Sequence, residues 1–178
     1  LLNAASGQVI SSTPAPENYY LQQPCWSSSG DIVTLTALAG ENEVIISFNT
    51  NTETFLTLLN TENEDLGSSY LKNDTLWYES SASGTENIWR MVNGKKEIIT
   101  NSKFGTGEFC FDNNRLIFSD YTREGYSLCA VTPNDLTVNK LTKTEPPVRI
   151  IDLIDKPVPL KQEENIMELV PVPYNKFL

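Results

Sequence analysis

The sequence predicts an all-β fold built from repeated units of short antiparallel strands, and three observations predict it. Residues that favour strands (Thr, Val, Ile, Phe and Tyr) are frequent, whereas Ala-rich helical runs are absent. Strand-like segments of about five or six residues alternate with turns rich in Gly, Asn, Ser and Asp. The same pattern of strands and turns occurs three times along the chain.

The clearest example is a strand–turn–strand segment at residues 115–131, which reads RLIFSDYTREGYSLCAV. Leu116 and Phe118 fall on one face of its first strand, because side chains alternate between the two faces of a strand. Equivalent strands begin at Ile32, Leu76 and Leu116, at spacings of 44 and 40 residues. A period of about 40 to 45 residues with four short strands per unit is typical of a β-propeller blade.

These repeats divide the chain into five parts. Residues 1–23 are interpreted as the final strand of a preceding blade plus a linker, and four-stranded blades are predicted over residues 24–66, 67–105 and 106–143. Residues 144–178 contain six prolines and are predicted to form an extended tail. Closed propellers usually have about four to eight blades, so three blades make an incomplete ring. The expected partners are therefore the remaining propeller blades or another protein chain.

Composition excludes some partners. The net charge is −10, and all of the excess acidity lies before Arg90. An acidic chain repels phosphate backbones, so no nucleic-acid partner is expected. No apolar run approaches the roughly 18 residues of a membrane helix, so this segment is not expected to insert directly into a membrane.

The residue types needed for common catalytic sites are missing. The chain has no histidine, which removes Ser-His-Asp and Cys-His catalysis and the His-Glu-x-x-His metal motif from the sequence given. Its three cysteines, Cys25, Cys110 and Cys129, have neither zinc-site nor Cys-x-x-Cys spacing. The sequence therefore predicts no catalytic residue, no cofactor and no metal ligand, and shows no catalytic machinery.

Four side chains are candidates for an interaction surface: Glu79, Asp120, Trp77 and Trp89. Glu79 and Asp120 lie near the ends of corresponding predicted strands, where two carboxylates could bind a cation or act as acid and base. The simpler interpretation is that each carboxylate caps a turn or pairs with a nearby arginine. The tryptophans are expected to pack between blades, with stacking on a sugar as the alternative.

Three segments resemble the blade of the TolB-type β-propeller. They are residues 26–32 (WSSSGDI), 87–90 (NIWR) and 116–120 (LIFSD). That blade reads roughly W-S-x-D-G-x-x-I-x-F, then N-I-Y/W, then L-T. Ser29 stands where the family usually has Asp before the glycine. The resemblance covers residues 24–145 and implies a TolB-like propeller.

A narrower resemblance involves residues 118–122 (FSDYT), 125–126 (GY) and 174–178 (YNKFL). These segments are similar to a group of large bacterial envelope proteins in which a TolB-like propeller precedes an outer-membrane barrel of the surface-antigen type. Some members also carry a metallopeptidase-like domain. The resemblance implies a location in the bacterial cell envelope, in the periplasm or at the outer membrane.

The leading functional hypothesis is a non-catalytic propeller segment that acts as a protein-interaction or scaffold module in such an envelope protein. A second hypothesis is the substrate-gating propeller of a hydrolase or peptidase whose catalytic domain lies elsewhere. A third is a carbohydrate-binding surface that uses the tryptophans.

Overall fold

A computed structural model of the protein describes residues 1–132. The predicted tail at 144–178 and the predicted last strand near Leu136 lie outside the described residues. Within residues 1–132 there is no helix, and therefore none long and apolar enough to cross a membrane. The eleven strands are β1 (Tyr19–Trp26), β2 (Ile32–Ala39), β3 (Asn42–Asn49), β4 (Thr54–Thr61), β5 (Leu66–Lys72), β6 (Thr75–Ser80), β7 (Asn87–Val92), β8 (Lys95–Ile98), β9 (Thr106–Asp112), β10 (Arg115–Thr122) and β11 (Gly125–Val131).

The strands form three separate antiparallel sheets in chain order. The first sheet is β1-β2-β3-β4, the second is β5-β6-β7-β8, and the third contains β9-β10-β11 within the described residues. Each strand pairs with its neighbour in sequence, as in a meander. The all-β prediction is confirmed.

The N-terminal boundary differs from the prediction. The predicted division after residue 23 falls inside β1, which already begins at Tyr19. Pro24 lies at an irregularity of that strand, where a missing backbone N–H is tolerated. Instead of a full strand, residues 1–11 contain one isolated bridge between Leu2 and Val9.

Tight turns join the strands where the sequence supplies residues that tolerate positive φ. Asn93 and Gly94, which join β7 to β8, have φ angles of 50° and 76°. Asn73 and Asp74, which join β5 to β6, have φ angles of 47° and 59°. Positive φ at both central residues is the requirement of a two-residue type I′ hairpin, and the hairpin predicted at Asn93-Gly94 is confirmed.

A β-bulge interrupts the first strand of each sheet. The register shifts between Gln22 and Cys25 in β1, between Leu66 and Ser69 in β5, and at Glu108 in β9. A bulge leaves backbone groups outside the ladder and bends the strand. Because the bulge recurs in all three sheets, it belongs to the repeating unit.

Two apolar seams hold neighbouring sheets together. In the first seam the first and second sheets contribute Ile45, Leu59, Leu66, Leu76, Tyr78, Trp89 and Ile98. In the second seam the second and third sheets contribute Trp77, Ile88, Ile99, Leu116 and Phe118. Successive residues of β6 thus serve different seams, because Leu76 and Tyr78 face the first sheet while Trp77 faces the third.

Candidate functional site

Several buried polar groups lie where the second strand of one sheet meets the bulged first strand of the next. In the first seam, Thr36 Oγ1 donates to the carbonyl of Gly67 at 2.6 Å. Thr34 Oγ1 donates to the carbonyl of Ser69 at 2.8 Å. Both threonines are buried, and their hydroxyls attach β2 to main-chain oxygens within the β5 bulge and directly after it.

Glu79 is the ionisable member of this arrangement. Its neighbours across the ladder are the two bulged residues of β5, Gly67 and Ser68, which together oppose this single residue of β6. The backbone N–H of Ser68 donates to Glu79 Oε2 at 3.0 Å. The carboxylate therefore satisfies an amide that the bulge removes from the ladder.

The environment of Glu79 is unfavourable for a charge. The residue is 8% exposed, and Oε1 has no hydrogen-bond partner among the described residues. Burial raises the pKa of Glu79, and the nearby Glu86 carboxylate raises it further. Hydrogen bonds from Ser68 and the Glu108 backbone lower this pKa, but the net shift is upward. Glu79 is therefore protonated more easily in the folded chain than in the unfolded chain.

Asp120 also points into the second seam, because it alternates with Leu116 and Phe118 along β10. Its Oδ1 is buried and has no partner in the described part of the chain. Glu86, and not Asp120, is the acidic group that shifts the pKa of Glu79. No group of three His, Cys, Asp or Glu residues that could hold a metal ion occurs within residues 1–132.

The two tryptophans among the interaction-surface candidates are buried, in the manner expected of side chains that pack between blades. Trp77 is 5% exposed, and its ring meets Phe111 edge-on at 5.0 Å between centroids. Trp89 is also 5% exposed and donates from Nε1 to the Ser80 carbonyl at 3.3 Å. Glu79 is buried as well, so these residues stabilise contacts between sheets and present no face to solvent. Trp26, at 50% exposure, remains accessible.

Sequence reasoning missed a buried polar centre at Asn87. Its Oδ1 accepts from Thr100 Oγ1 at 2.9 Å and from the backbone N–H of Ser102 at 2.8 Å, while its Nδ2 donates to Ser83 Oγ at 2.9 Å. The side chain therefore connects the loop before β7 to the segment after β8. The available signal was a polar amide at the start of an otherwise apolar strand.

The first prediction concerns the close approach of Glu79 to Gly67. A Cβ added at Gly67 would lie 2.8 Å from the Cβ of Glu79, whereas a Cβ at Gly107, in the first strand of the third sheet, would have only Ser119 Oγ nearby, at 3.8 Å. We expect Gly67→Ala to lower the free energy of unfolding by about 1–3 kcal/mol through overpacking. Gly107→Ala should change it by less than about 0.5 kcal/mol. Urea unfolding of both variants checks this, and equal effects would contradict it.

The second prediction concerns pH. Because the pKa of Glu79 is raised on folding, its contribution to stability is present at low pH and is lost as pH rises above the ordinary glutamate pKa of about 4.3. The free energy of unfolding of the original chain should therefore decline as pH rises through that range. In the Glu79→Gln variant this decline should be absent or smaller. Urea unfolding at a series of pH values measures it.

Glu97 provides the matched control. Hydrogen bonds from Lys95 and Arg90 lower its pKa, so its contribution is lost as pH falls. Glu97→Gln should therefore remove a loss in the free energy of unfolding that occurs as pH falls. If both substitutions changed the slope of unfolding free energy against pH in the same direction, the assignment for Glu79 would be wrong.

Comparison with known proteins identifies the architecture. The chain superposes on TolB from Acinetobacter baumannii with a TM-score of 0.61 and 18% identity, covering 78% of this chain and 36% of that one. A putative TolB from Agrobacterium tumefaciens gives a TM-score of 0.57 and 17% identity, covering 69% and 49%. A puromycin-hydrolyzing peptidase from Mycobacterium tuberculosis gives 0.52 and 11%, covering 69% and 22%.

The chain spans about half or less of the length of these proteins. No protein-family model matches the sequence, and no curated protein matches it. Identities below 20% show the fold alone. The three unclosed sheets thus form part of a β-propeller of the TolB-like type.

Proposed function

We propose that this chain is a non-catalytic propeller segment that serves as a protein-interaction or scaffold module in a bacterial cell-envelope protein. The observation that carries the proposal is the exposed face of the third sheet, which carries Tyr121, Tyr126 and Leu128. Propeller sheets are stable when each face is covered by another sheet. Exposed apolar faces of this kind mark sites where another protein surface binds.

This face lies on the side of the third sheet opposite to the second seam. Tyr126 is 78% exposed and Leu128 is 83% exposed. Tyr121 lies beside Tyr126, with 4.9 Å between ring centroids, and is 45% exposed. Aromatic side chains with large exposed areas are the residues that contribute most to binding energy in protein interfaces.

The polar groups inside the seams support a structural role. Thr34, Thr36 and Glu79 contact main-chain atoms of the bulged strand β5, and each of the three is buried. A catalytic group must reach a substrate, and these side chains are enclosed between sheets. The sequence also lacks histidine, the commonest general base.

The envelope location is part of the proposal and is supported by the fold likeness to TolB proteins. The narrower prediction, an envelope protein with a surface-antigen-type barrel, depends on the sequence resemblance of residues 118–122 and 174–178.

A second candidate is the substrate-gating propeller of a hydrolase whose catalytic domain lies outside this sequence. The likeness to the fold of a puromycin-hydrolyzing peptidase favours it. Under this candidate, the chain itself is inactive and changes substrate access in a longer protein that contains it.

Site-specific photo-crosslinking tests the proposal. Benzoylphenylalanine replaces Tyr126 in the third-sheet face or, as a matched control, Tyr20, which is 66% exposed on β1 of the first sheet. We expect a discrete protein adduct from position 126 and none from position 20. Equal labelling at both positions would contradict an interaction role for the third-sheet face, and peptide hydrolysis by the purified chain would contradict the non-catalytic assignment.

A further inference from the structure

We infer that the outer edge of the first sheet, formed by β4, binds an extended segment of a partner protein as an added β-strand. The partner segment carries basic residues at its ends. β4 lies in a different sheet from the third-sheet face, so this partner is additional to the interaction proposed above. The pairing of β4, the residues along its edge and the charge around it all support this assignment.

β4 is an edge strand. The first sheet has the order β1-β2-β3-β4, and β4 pairs with β3 along Thr54–Thr61. Among residues 1–132, no strand pairs with the other side of β4, and no backbone hydrogen bond joins β4 to an element outside its sheet. In an antiparallel strand, alternate residues direct their N–H and C=O groups away from the paired neighbour. β4 therefore presents main-chain donors and acceptors along its outer side.

The position of this edge does not depend on the number of sheets in the propeller. Neighbouring sheets meet through their faces, at the two seams. A further sheet before the first sheet or after the third would cover a face in the same way. The outer edge of β4 would stay open in a stack of any length.

β4 lacks most of the features that protect an edge strand. Propellers ordinarily leave only short edges, and charged residues, prolines or bulges prevent further pairing. β8, the outer strand of the second sheet, has four residues, which include Lys95, Lys96 and Glu97. β4 has eight residues and contains neither a charged residue nor a proline. A register shift at Leu58 divides β4, but the pairing of Thr54–Thr57 is uninterrupted.

The side chains of this uninterrupted stretch suit an added strand. Thr54, Leu56 and Thr57 are exposed, and the exposed fraction of Leu56 is 65%. Leu56 and Thr57 point to opposite faces of the sheet, because side chains alternate along a strand. Side chains of an added strand would pack beside them as cross-strand pairs, in which β-branched residues are favourable. The partner segment is therefore expected to be rich in threonine, valine or isoleucine.

Charge favours a basic partner over a second copy of this chain. Residues 1–66, which include the first sheet, contain eight acidic residues and no basic residue, and Glu53 directly precedes β4. Two copies joined through β4 would bring two of these acidic segments together, which is unfavourable. Lysine or arginine at the ends of a partner segment would instead be attracted. Main-chain hydrogen bonds supply affinity in strand addition, and side chains such as these supply specificity.

Binding of designed peptides to the intact chain tests the inference. Two peptides alternate threonine and valine, and one has lysines at both ends whereas the other has glutamates. Fluorescence anisotropy should show at least about tenfold tighter binding of the lysine peptide. Methylation of the backbone nitrogens of the lysine peptide should abolish binding, because it removes the donors that pair with β4. Absence of binding by the lysine peptide, or equal binding of its methylated form, would overturn the inference.

Amide hydrogen exchange identifies the strand that the peptide joins. In the free intact chain, the outward N–H groups within Thr54–Thr57 should exchange rapidly, and the lysine peptide should slow them. Slow exchange of all amides of this stretch in the free chain would mean that the edge is already occupied, and would contradict the inference. Protection by the peptide of a strand other than β4 would contradict it as well.

A pair of variants separates the edge from net charge. Leu56→Lys should weaken binding of the lysine peptide by at least about tenfold, because a lysine on an edge strand opposes further pairing. Tyr20→Lys adds the same charge at a side chain that is 66% exposed on β1, and should weaken binding by less than about twofold because distant charges are screened. Both replaced side chains are exposed, so the fold should be kept, which circular dichroism verifies.

Equal weakening by Leu56→Lys and Tyr20→Lys would overturn the assignment to the β4 edge. None of these results bears on the third-sheet face, which crosslinking at position 126 tests separately. Failure of that crosslink, in turn, would leave the binding of a peptide at β4 unchanged.

Discussion

Each sheet of this chain has apolar side chains on both faces, and the need to cover both faces determines the rest of the structure. Within the second sheet, Tyr78 packs toward the first sheet while its neighbour Trp77 packs toward the third. Both are almost entirely buried. A sheet of this kind cannot be stable alone, because removing only one face from water leaves the other exposed. Stacking is therefore a condition of folding, and a sheet face at the end of the stack must also be covered.

Polar side chains inside the seams form hydrogen bonds with backbone groups that the stacked strands leave unpaired. The bulges in β1, β5 and β9 remove amides and carbonyls from the ladders, and buried side chains satisfy some of them. Thr34 and Thr36 do so with neutral hydroxyls. Glu79 does so with a carboxylate whose pKa is raised by burial, which places a titratable group in the second seam. The seam thus explains why Glu79 is buried.

Much of the architecture could be predicted because its signals are local. The alternation at Leu116 and Phe118 predicts a strand with a buried face, and Asn93-Gly94 predicts a two-residue hairpin; the structure contains both. The positions of Trp77 and Trp89 were harder to assign. An aromatic residue on a strand fits either a surface or a core, and only the presence of a neighbouring sheet decides which.

The bulges and the burial of Glu79 could not be predicted, for a related reason. A bulge depends on the register between two strands, and Gly67-Ser68 carries no local signal that it opposes a single residue of β6. Glutamate side chains are usually exposed to solvent, and Glu79 is buried because a strand of the next sheet lies against it. The predicted division after residue 23 falls inside β1, because Pro24 lies at an irregularity within that strand.

The most direct measurement of the seam's importance compares two leucines of the third sheet. Leu116 is fully buried in the second seam, and Leu128 is 83% exposed on the opposite face. If stacking stabilises the sheets, Leu116→Ala should lower the free energy of unfolding by about 2–5 kcal/mol. Leu128→Ala, measured at concentrations where the chain is monomeric, should change it by less than about 0.5 kcal/mol. Similar losses in the two variants, or no loss at Leu116, would contradict the account.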